Sequence, residues 1–457
     1  MKPGQNSARA DSPLPTAAGV HVASRGGAAT EPLPSAPELP AHGWSTAETL
    51  ERLEALRRND VHWKDGRVFS LAYYASAEAH ELATEAYRRF SGENALNVDA
   101  FPSLRTMQSD VLSIVAGWLG APASARGFFS SGGTESILMA VKAARDQFRH
   151  DKTRPNVVLP TSAHAAFEKA GAYFGVEMRR VPVRDDWRAD ASAIARAVDD
   201  QTVMLVASAP QYPQGVVDPV GDVAAVALER EVNCHVDACM GGVTLPYLAR
   251  LGVQVTPWNF VVDGVTSISV DLHKFGYAAK GASVIMYRTS ELRSHQAFVT
   301  DNWLGGLYGS SGMLGTKSGG PIAAAWAVLH HLGDDGYLRV TREARDTAMA
   351  IAEHVRAHPL LTLRAEPDTT LVCIGAAAHN TAAARAPGNL DIFAVADALA
   401  SRGWYVDRQQ PPPSIHLTVN AVHATTYKDF LRDLDAAVAE VSSHSATGRA
   451  GAYGTID

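Results

Sequence analysis

From Phe128 to Tyr287, short apolar runs alternate with segments of helical spacing, and this restricts the chain to a small set of folds. The strand-like runs are Asn156–Pro160, Met178–Val183, Val203–Ser208, Cys234–Ala238, Val265–Val270 and Ser283–Tyr287. Helical periodicity falls between them at His164–Phe174, Ala191–Val198 and Asp222–Glu231. Strands that alternate with helices build a mostly parallel sheet covered on both faces, the α/β class. Ligands of such open sheets bind beyond the carboxyl ends of the strands, so polar residues just after strands are the ones to test.

The flanks follow other patterns. Thr46–Arg58 (Leu50, Leu53 and Leu56 on one stripe), Glu78–Phe90 and Leu104–Leu119 predict a helical segment over 46–120, ahead of an α/β large domain over 121–335. A helix at Ile322–Leu332 leads into a long one ending near His358. Leu361–Val441 then reads strand, strand, helix, strand, helix, a small α+β domain over 336–445. Residues 1–45 are dense in Pro, Ala, Ser and Gly, bury little and are expected to be disordered; 446–457 read as a flexible tail.

Charge and cysteine content narrow the function. With a net charge of -7 over 457 residues there is no basic surplus to neutralise phosphates, which argues against a nucleic-acid partner. Three cysteines (Cys234, Cys239, Cys373) make no disulfide framework and suit a reducing compartment. Met1–Asp11 has no apolar signal core, and no run reaches the ~18 apolar residues of a membrane span. These features predict a cytoplasmic enzyme without a transmembrane segment.

Four clusters follow strand ends. The first is Ser130-Ser131-Gly132-Gly133-Thr134-Glu135-Ser136, opening the helix Ile137–Gln147. Glycines allow close backbone approach and a helix N-terminus offers N–H groups to an anion, so the segment reads as a phosphate cup or, more plainly, as a capped turn. No Gly-Lys-Ser/Thr follows, which excludes a Walker A loop. The second is Cys234-His235-Val236-Asp237-Ala238-Cys239, where alternation puts His235, Asp237 and Cys239 on one face. The spacing fits no common zinc site, so no metal is assigned; Asp237 reads as a buried acid for a cationic ring nitrogen, or as a cap for the Gly241-Gly242 turn.

The third is Asp271-Leu272-His273-Lys274-Phe275-Gly276-Tyr277, with Lys280 in the same loop. A lysine is ordinarily solvated, but one set after an apolar strand can be a Schiff-base nucleophile, and Lys280 could hold a phosphate. The fourth is His164, a helix-capping or core residue unless it offers a flat face for stacking. Together these parts suit one cofactor: pyridoxal 5'-phosphate needs a lysine, an acid for its ring nitrogen, a stacking face and an anion cradle. Lys274, Asp237, His164 and Gly132–Thr134 supply them.

At these residues the sequence resembles the sphingosine-1-phosphate lyases, of the group II decarboxylase branch of fold-type I pyridoxal-phosphate enzymes. Ser131–Ala140 is similar to that family's phosphate motif, and Ser162-Ala163-His164-Ala165-Ala166-Phe167 to its ring-stacking motif. Ser208–Pro219 is similar to its substrate-side loop, His273–Gly281 to its lysine motif, and Pro411–His416 to a stretch of its small domain. The resemblance implies a homodimer with active sites at the subunit interface, Lys274 in Schiff-base linkage and Asp237 on the pyridinium nitrogen. It also implies that Gly133, Thr134 and His273, with Gly309 or Ser310 from the partner subunit, hold the cofactor phosphate, with Ser208 and Ala238 in the same cofactor shell. Tyr73 and Lys280 would face the substrate's own phosphate.

The implied reaction is retro-aldol cleavage of a phosphorylated long-chain base to a fatty aldehyde and phosphoethanolamine. Lys274, Lys280, His273 and Tyr308 are its candidate proton movers. Two positions depart from the family pattern, Asn97 where a histidine is usual and Lys317 in place of the arginine of Ser-Arg-Pro-Gly-Gly, and the stretch Phe69-Ser70-Leu71-Ala72-Tyr73 is also unusual near the substrate entrance. Asparagine carries no charge, and lysine lacks the bidentate fork. An amino-acid decarboxylase and a catalytically silent pyridoxal-phosphate-binding protein are the alternatives on the same fold.

Overall fold

The computed structural model describes residues 39–148, 150–377, 390–443 and 447–451. Of the two expected tails, 1–38, 446 and 452–457 lie outside the described residues. Residues 39–60 belong to one compact unit and the chain from Val61 onward to a second. In the first, Ser45 caps α1 (Thr46–Leu56) by accepting from the Glu48 N–H at 3.2 Å. The expected stripe of Leu50, Leu53 and Leu56 is exposed.

The second unit opens with α2 (Ala77–Arg89) and α3 (Pro102–Trp118). The alternating region follows: β1 (Arg126–Ser130), α4 (Gly133–Gln147), β2 (Asn156–Pro160), α5 (Ala166–Phe174) and β3 (Glu177–Val181). It continues with α6 (Ala191–Ala197), β4 (Thr202–Ser208), α7 (Val220–Glu229), β5 (Asn233–Asp237), α8 (Thr244–Arg250), β6 (Ser267–Asp271) and β7 (Ser283–Tyr287). The seven strands form one sheet in the order β1-β7-β6-β5-β4-β2-β3, parallel except where β7 runs against β1 and β6. This is the α/β architecture that the alternation predicts, in the fold-type I form that the family resemblance implies.

The β4 strand shows why a helix-covered sheet needs continuous apolar runs. Leu205 and Ala207 pack into the core with α3, α7 and α10 (Gly320–Ala357), while Met204 and Val206 face the core under α4 and α5. Within α10 the chain breaks at Gly333, whose φ of 58° disfavours a side chain, so the two expected helices run on as one kinked element.

Between β7 and α10 lie α9 (Ser290–Ser294) and a small antiparallel hairpin of β8 (Phe298–Thr300) and β9 (Tyr308–Ser310). The periodicity does not predict this hairpin, whose three-residue strands are too short to show a period, nor α8. After α10, β10 (Leu361–Leu363), β11 (Leu371–Ala376), α11 (Ile392–Ser401), β12 (Asp407–Gln409), β13 (Ser414–Thr418) and α12 (Tyr427–Ser443) make a four-stranded antiparallel sheet, β10-β11-β13-β12, backed by helices. Its core, around Trp404, Phe430, Ile415 and Val395, also takes in Phe69. Among the described residues no helix is long and apolar enough to cross a membrane.

Candidate active site

Strands β5 and β6 are apolar on one face only. Cys234, Val236, Ile268 and Val270 enter the core, while His235, Asp237, Ser267, Ser269 and Asp271 fall on the face toward α4. A buried polar face must satisfy itself. His235 Nδ1 lies 2.9 Å from Ser267 Oγ and its Nε2 lies 3.3 Å from Ser269 Oγ, which donates to Asp237 Oδ1 at 3.3 Å. The Cys239 N–H also donates to Asp237 Oδ1 at 3.1 Å, so the acid both caps its turn and points to the strand tips. Burial lowers His235 to about 4, keeping it a neutral bridge at ordinary pH.

The glycine-rich turn before α4 meets those tips. A Cβ at Gly133 would lie 2.7 Å from Cys239 Sγ and 2.8 Å from Asp271 Oδ2, so only glycine brings the α4 N-terminus this close. The buried Glu135 carboxylate secures the turn by accepting from the Ser131 N–H at 2.6 Å and, across the chain, from the Met313 N–H at 2.7 Å. The result is the N-terminus of a 15-residue helix opening on a cavity of about 560 Å³.

Lys274 enters that cavity with Nζ 3.1 Å from Asp271 Oδ2, and His273 Nε2 lies 3.8 Å from the same oxygen. Ser283 Oγ donates to Asp271 Oδ1 at 2.5 Å. Burial alone would raise the Asp271 carboxyl, but Lys274 and His273 outweigh it and hold the group below the usual carboxylate range. His273 is itself lowered by burial, and its Nδ1 sits 2.9 Å from the Ala282 carbonyl. His164 lies on the cavity wall; its Nδ1 accepts from the Ala166 N–H at 3.1 Å, so the ring caps α5 and faces the pocket at once. Burial lowers it too, which favours the neutral imidazole.

Lys280 stands at the mouth, with Nζ 5.1 Å from the centre of the Tyr73 ring and 3.4 Å from the His273 carbonyl. Desolvation, then the nearby Lys274, brings its ammonium down to about 8. The Tyr73 ring meets Phe275 edge-on at 5.2 Å, and its hydroxyl lies 3.8 Å from Met240 Sδ.

Gly133, Thr134, His164, Ser208, Asp237, His273, Lys274 and Lys280 thus line one cavity, and Tyr73 packs at its edge. Ala238 does not line it: it is buried behind the tip of β5, where its N–H donates to the Ser269 carbonyl at 3.0 Å. Gly309 and Ser310 lie on β9 and Tyr308 beside them, away from this chain's own cavity lining. The two departures from the family pattern also lie off the lining. Asn97 is exposed and accepts from the Asp99 N–H at 3.0 Å. Lys317 donates to the Phe129 carbonyl at 2.8 Å with its ammonium over the Phe128 ring, and burial lowers it to about 8.

Sequence reasoning passed over Asp271, although the signal was there: like Asp237, it is a carboxylate ending an apolar strand, one strand along. It also missed Glu135 as a clamp, and Tyr212 and Met240 as lining, since these depend on contacts distant in sequence. An amine, a strand-tip carboxylate, a flat imidazole and a helix N-terminus around one cavity are what pyridoxal phosphate requires, and the glycine-only approach at Gly133 brings that N-terminus against Asp271 and Cys239 at the strand tips.

The comparisons with known proteins agree. Residues 48–376 match the pyridoxal-dependent decarboxylase conserved domain. The sphingosine-1-phosphate lyase of Arabidopsis thaliana is 39% identical, over 89% of this chain and 74% of that protein. Sphingosine-1-phosphate lyase 1 of Rattus norvegicus is 37% identical, over 92% of this chain and 74% of its own length. The solved structure of a Burkholderia pseudomallei sphingosine-1-phosphate lyase superposes with a TM-score of 0.83 at 37% identity, covering 89% of this chain and 93% of that one. The chain therefore belongs to the sphingosine-1-phosphate lyase family, within the pyridoxal-dependent decarboxylases.

Proposed function

We propose that the protein cleaves the C2–C3 bond of sphingosine 1-phosphate or a related phosphorylated long-chain base, giving a fatty aldehyde and phosphoethanolamine. Bound pyridoxal phosphate supplies an aldehyde for an amine and a ring that accepts the electron pair left on C2. Lys274 is the amine that holds it. Asp237, fixed by Cys239 and Ser269, keeps a proton on the ring nitrogen. His164 stacks on the ring. Gly133, Thr134 and His273 hold the cofactor phosphate, joined by Gly309 or Ser310 of the second subunit in a homodimer.

The observation that carries the substrate reading is the second lysine. Lys280 lies outside the cofactor cup, over the Tyr73 ring at the mouth, where an anionic group on the substrate would arrive. A group near pH 8 can hold a phosphate as an ammonium and pass a proton as an amine. Phosphate anchored there would fix the breaking bond relative to the ring, an orientation effect that can contribute several kcal/mol.

The test is turnover of a phosphorylated sphingoid base beside its non-phosphorylated form, with aldehyde and carbon dioxide both measured. Aldehyde from the phosphorylated base alone is the expected result. Carbon dioxide from amino acids without aldehyde would replace this reading with decarboxylation. Equal turnover of both bases would remove the phosphate role of Tyr73 and Lys280.

A further inference from the structure

Three stretches far apart in sequence meet on one carboxylate. Asp407, half-buried at the start of β12, accepts from the Ser70 hydroxyl through Oδ1 at 2.8 Å and from the Tyr212 hydroxyl through Oδ2. Tyr212 lines the cavity from the loop after β4, and its ring lies 4.1 Å from the His416 ring of β13. Ser70 precedes Tyr73, whose ring lies under Lys280 at the cavity edge, by three residues.

The strip that carries both is tied to the small domain and strained. The Phe69 N–H donates to the Tyr405 carbonyl at 3.0 Å, and the Thr418 N–H to the Phe69 carbonyl at 2.6 Å. Leu71 then adopts a φ of 65°, the left-handed region that a branched side chain rarely occupies, with its side chain exposed. The Ala72 N–H closes the turn on the Ser70 carbonyl at 2.6 Å, and the Ser70–Asp407 bond on one side and the Tyr74 N–H to Asn420 Oδ1 bond at 3.3 Å on the other tie it to the rest of the chain.

We propose that Asp407 is a positioning residue: by holding Ser70 and Tyr212 together it sets Tyr73 and Tyr212 as facing walls of the substrate mouth. It touches no reacting atom. Its effect on turnover rests on the lyase reading above; its effect on the strip does not.

The experiment uses the holoenzyme and three variants, Asp407→Asn, Tyr212→Phe and Ser70→Ala. Two readouts are taken: KM and kcat for the phosphorylated base, and chymotryptic cleavage at Leu71, Tyr73 and Tyr74. Asp407→Asn is expected to raise KM about tenfold while kcat moves less than about threefold and cofactor content stays at the wild-type level. Cleavage in the strip should quicken about tenfold. Tyr212→Phe and Ser70→Ala should each give a smaller rise in KM, and neither should add to Asp407→Asn in the double variants.

A loss of thermal stability with KM and strip cleavage unchanged would reduce Asp407 to a structural residue and overturn the proposal, as would fully additive double variants. If Asp407→Asn fails to fold, the Tyr212→Phe and Ser70→Ala pair decides on the same criteria. If the wild type releases no aldehyde but Asp407→Asn still opens the strip, the lyase reading falls and the positioning role stands. If aldehyde forms and neither readout moves, the positioning role falls alone.

Discussion

The cavity has two walls made in different ways. One is the row of tips of β4, β5 and β6, carrying Ser208, Asp237 and Asp271, with Lys274 three residues beyond the last. Neighbouring strand tips are held by the sheet's own hydrogen bonds, so their positions follow from register: His235 pairs with Ser267 and Asp237 with Ser269. The other wall, made by Tyr73, Tyr212 and their anchors Ser70 and Asp407, is gathered from three stretches that meet through side-chain bonds to one carboxylate. A wall set by register is rigid and suits the chemistry of a cofactor, whereas a wall set by side chains can differ between relatives and suits the choice of substrate.

The largest effect should come from the first wall. Lys274→Ala removes the amine proposed to hold the cofactor and should lower turnover by at least about a thousandfold. Borohydride trapping of the wild type followed by peptide mapping should put the label on Lys274; a label elsewhere, or label retained in the variant, would mean the wall has been misassigned. Gly133→Ala comes next, because its methyl would strike Cys239 Sγ and Asp271 Oδ2. Overpacking of this kind costs roughly 1–3 kcal/mol, and cofactor affinity should fall with it. Unchanged affinity would show that the α4 N-terminus does not need its close approach.

How much of each wall could be read beforehand follows the same division. The sheet, six of whose strands end within two residues of expectation, was legible because burial under helices writes apolar runs into the sequence. The site residues on that sheet were legible because a carboxylate or lysine closing such a run has no bland explanation as core. In the second wall the family resemblance marks Tyr73 and the loop that carries Tyr212, but the anchors were illegible: nothing in Ser70 or Asp407 by itself says that the two lie 2.8 Å apart across 337 residues. The same holds for the three-residue strands of the β8–β9 hairpin and β12.

Acid offers a test in which both walls respond. His235 behind the strand tips, and His416 and His423 behind the mouth, are each lowered by burial to about 4. A folded value below the unfolded one means that unfolding takes up a proton, so stability is full above about pH 6.5 and declines as pH falls toward 4. Between pH 6.5 and 5 each histidine should remove about 2 kcal/mol. Asp218, raised by burial to about 7, has the opposite sign and partly flattens the curve. Denaturant titrations at pH 7 and pH 5 should show the loss, and His416→Asn should reduce the slope by about one proton. An unchanged slope would mean that His416 does not titrate as its burial requires.

The smallest effect is expected at Asn97, and its size distinguishes a residue of this chain's own cavity from one acting elsewhere. Its side chain is exposed, lies off the cavity lining and serves a local turn through the Asp99 N–H at 3.0 Å. Asn97→Ala removes that one exposed bond, so stability should change by no more than about 0.5 kcal/mol, measured by denaturant titration. Cofactor content should not change, because neither the strand tips nor the α4 N-terminus touches this turn. A rise in KM for the phosphorylated base with stability and cofactor unchanged would give Asn97 a role toward the second subunit of the proposed homodimer. That result would move part of the substrate wall off this chain, and the mouth, like the proposed phosphate site of the cofactor, would then be built from two chains.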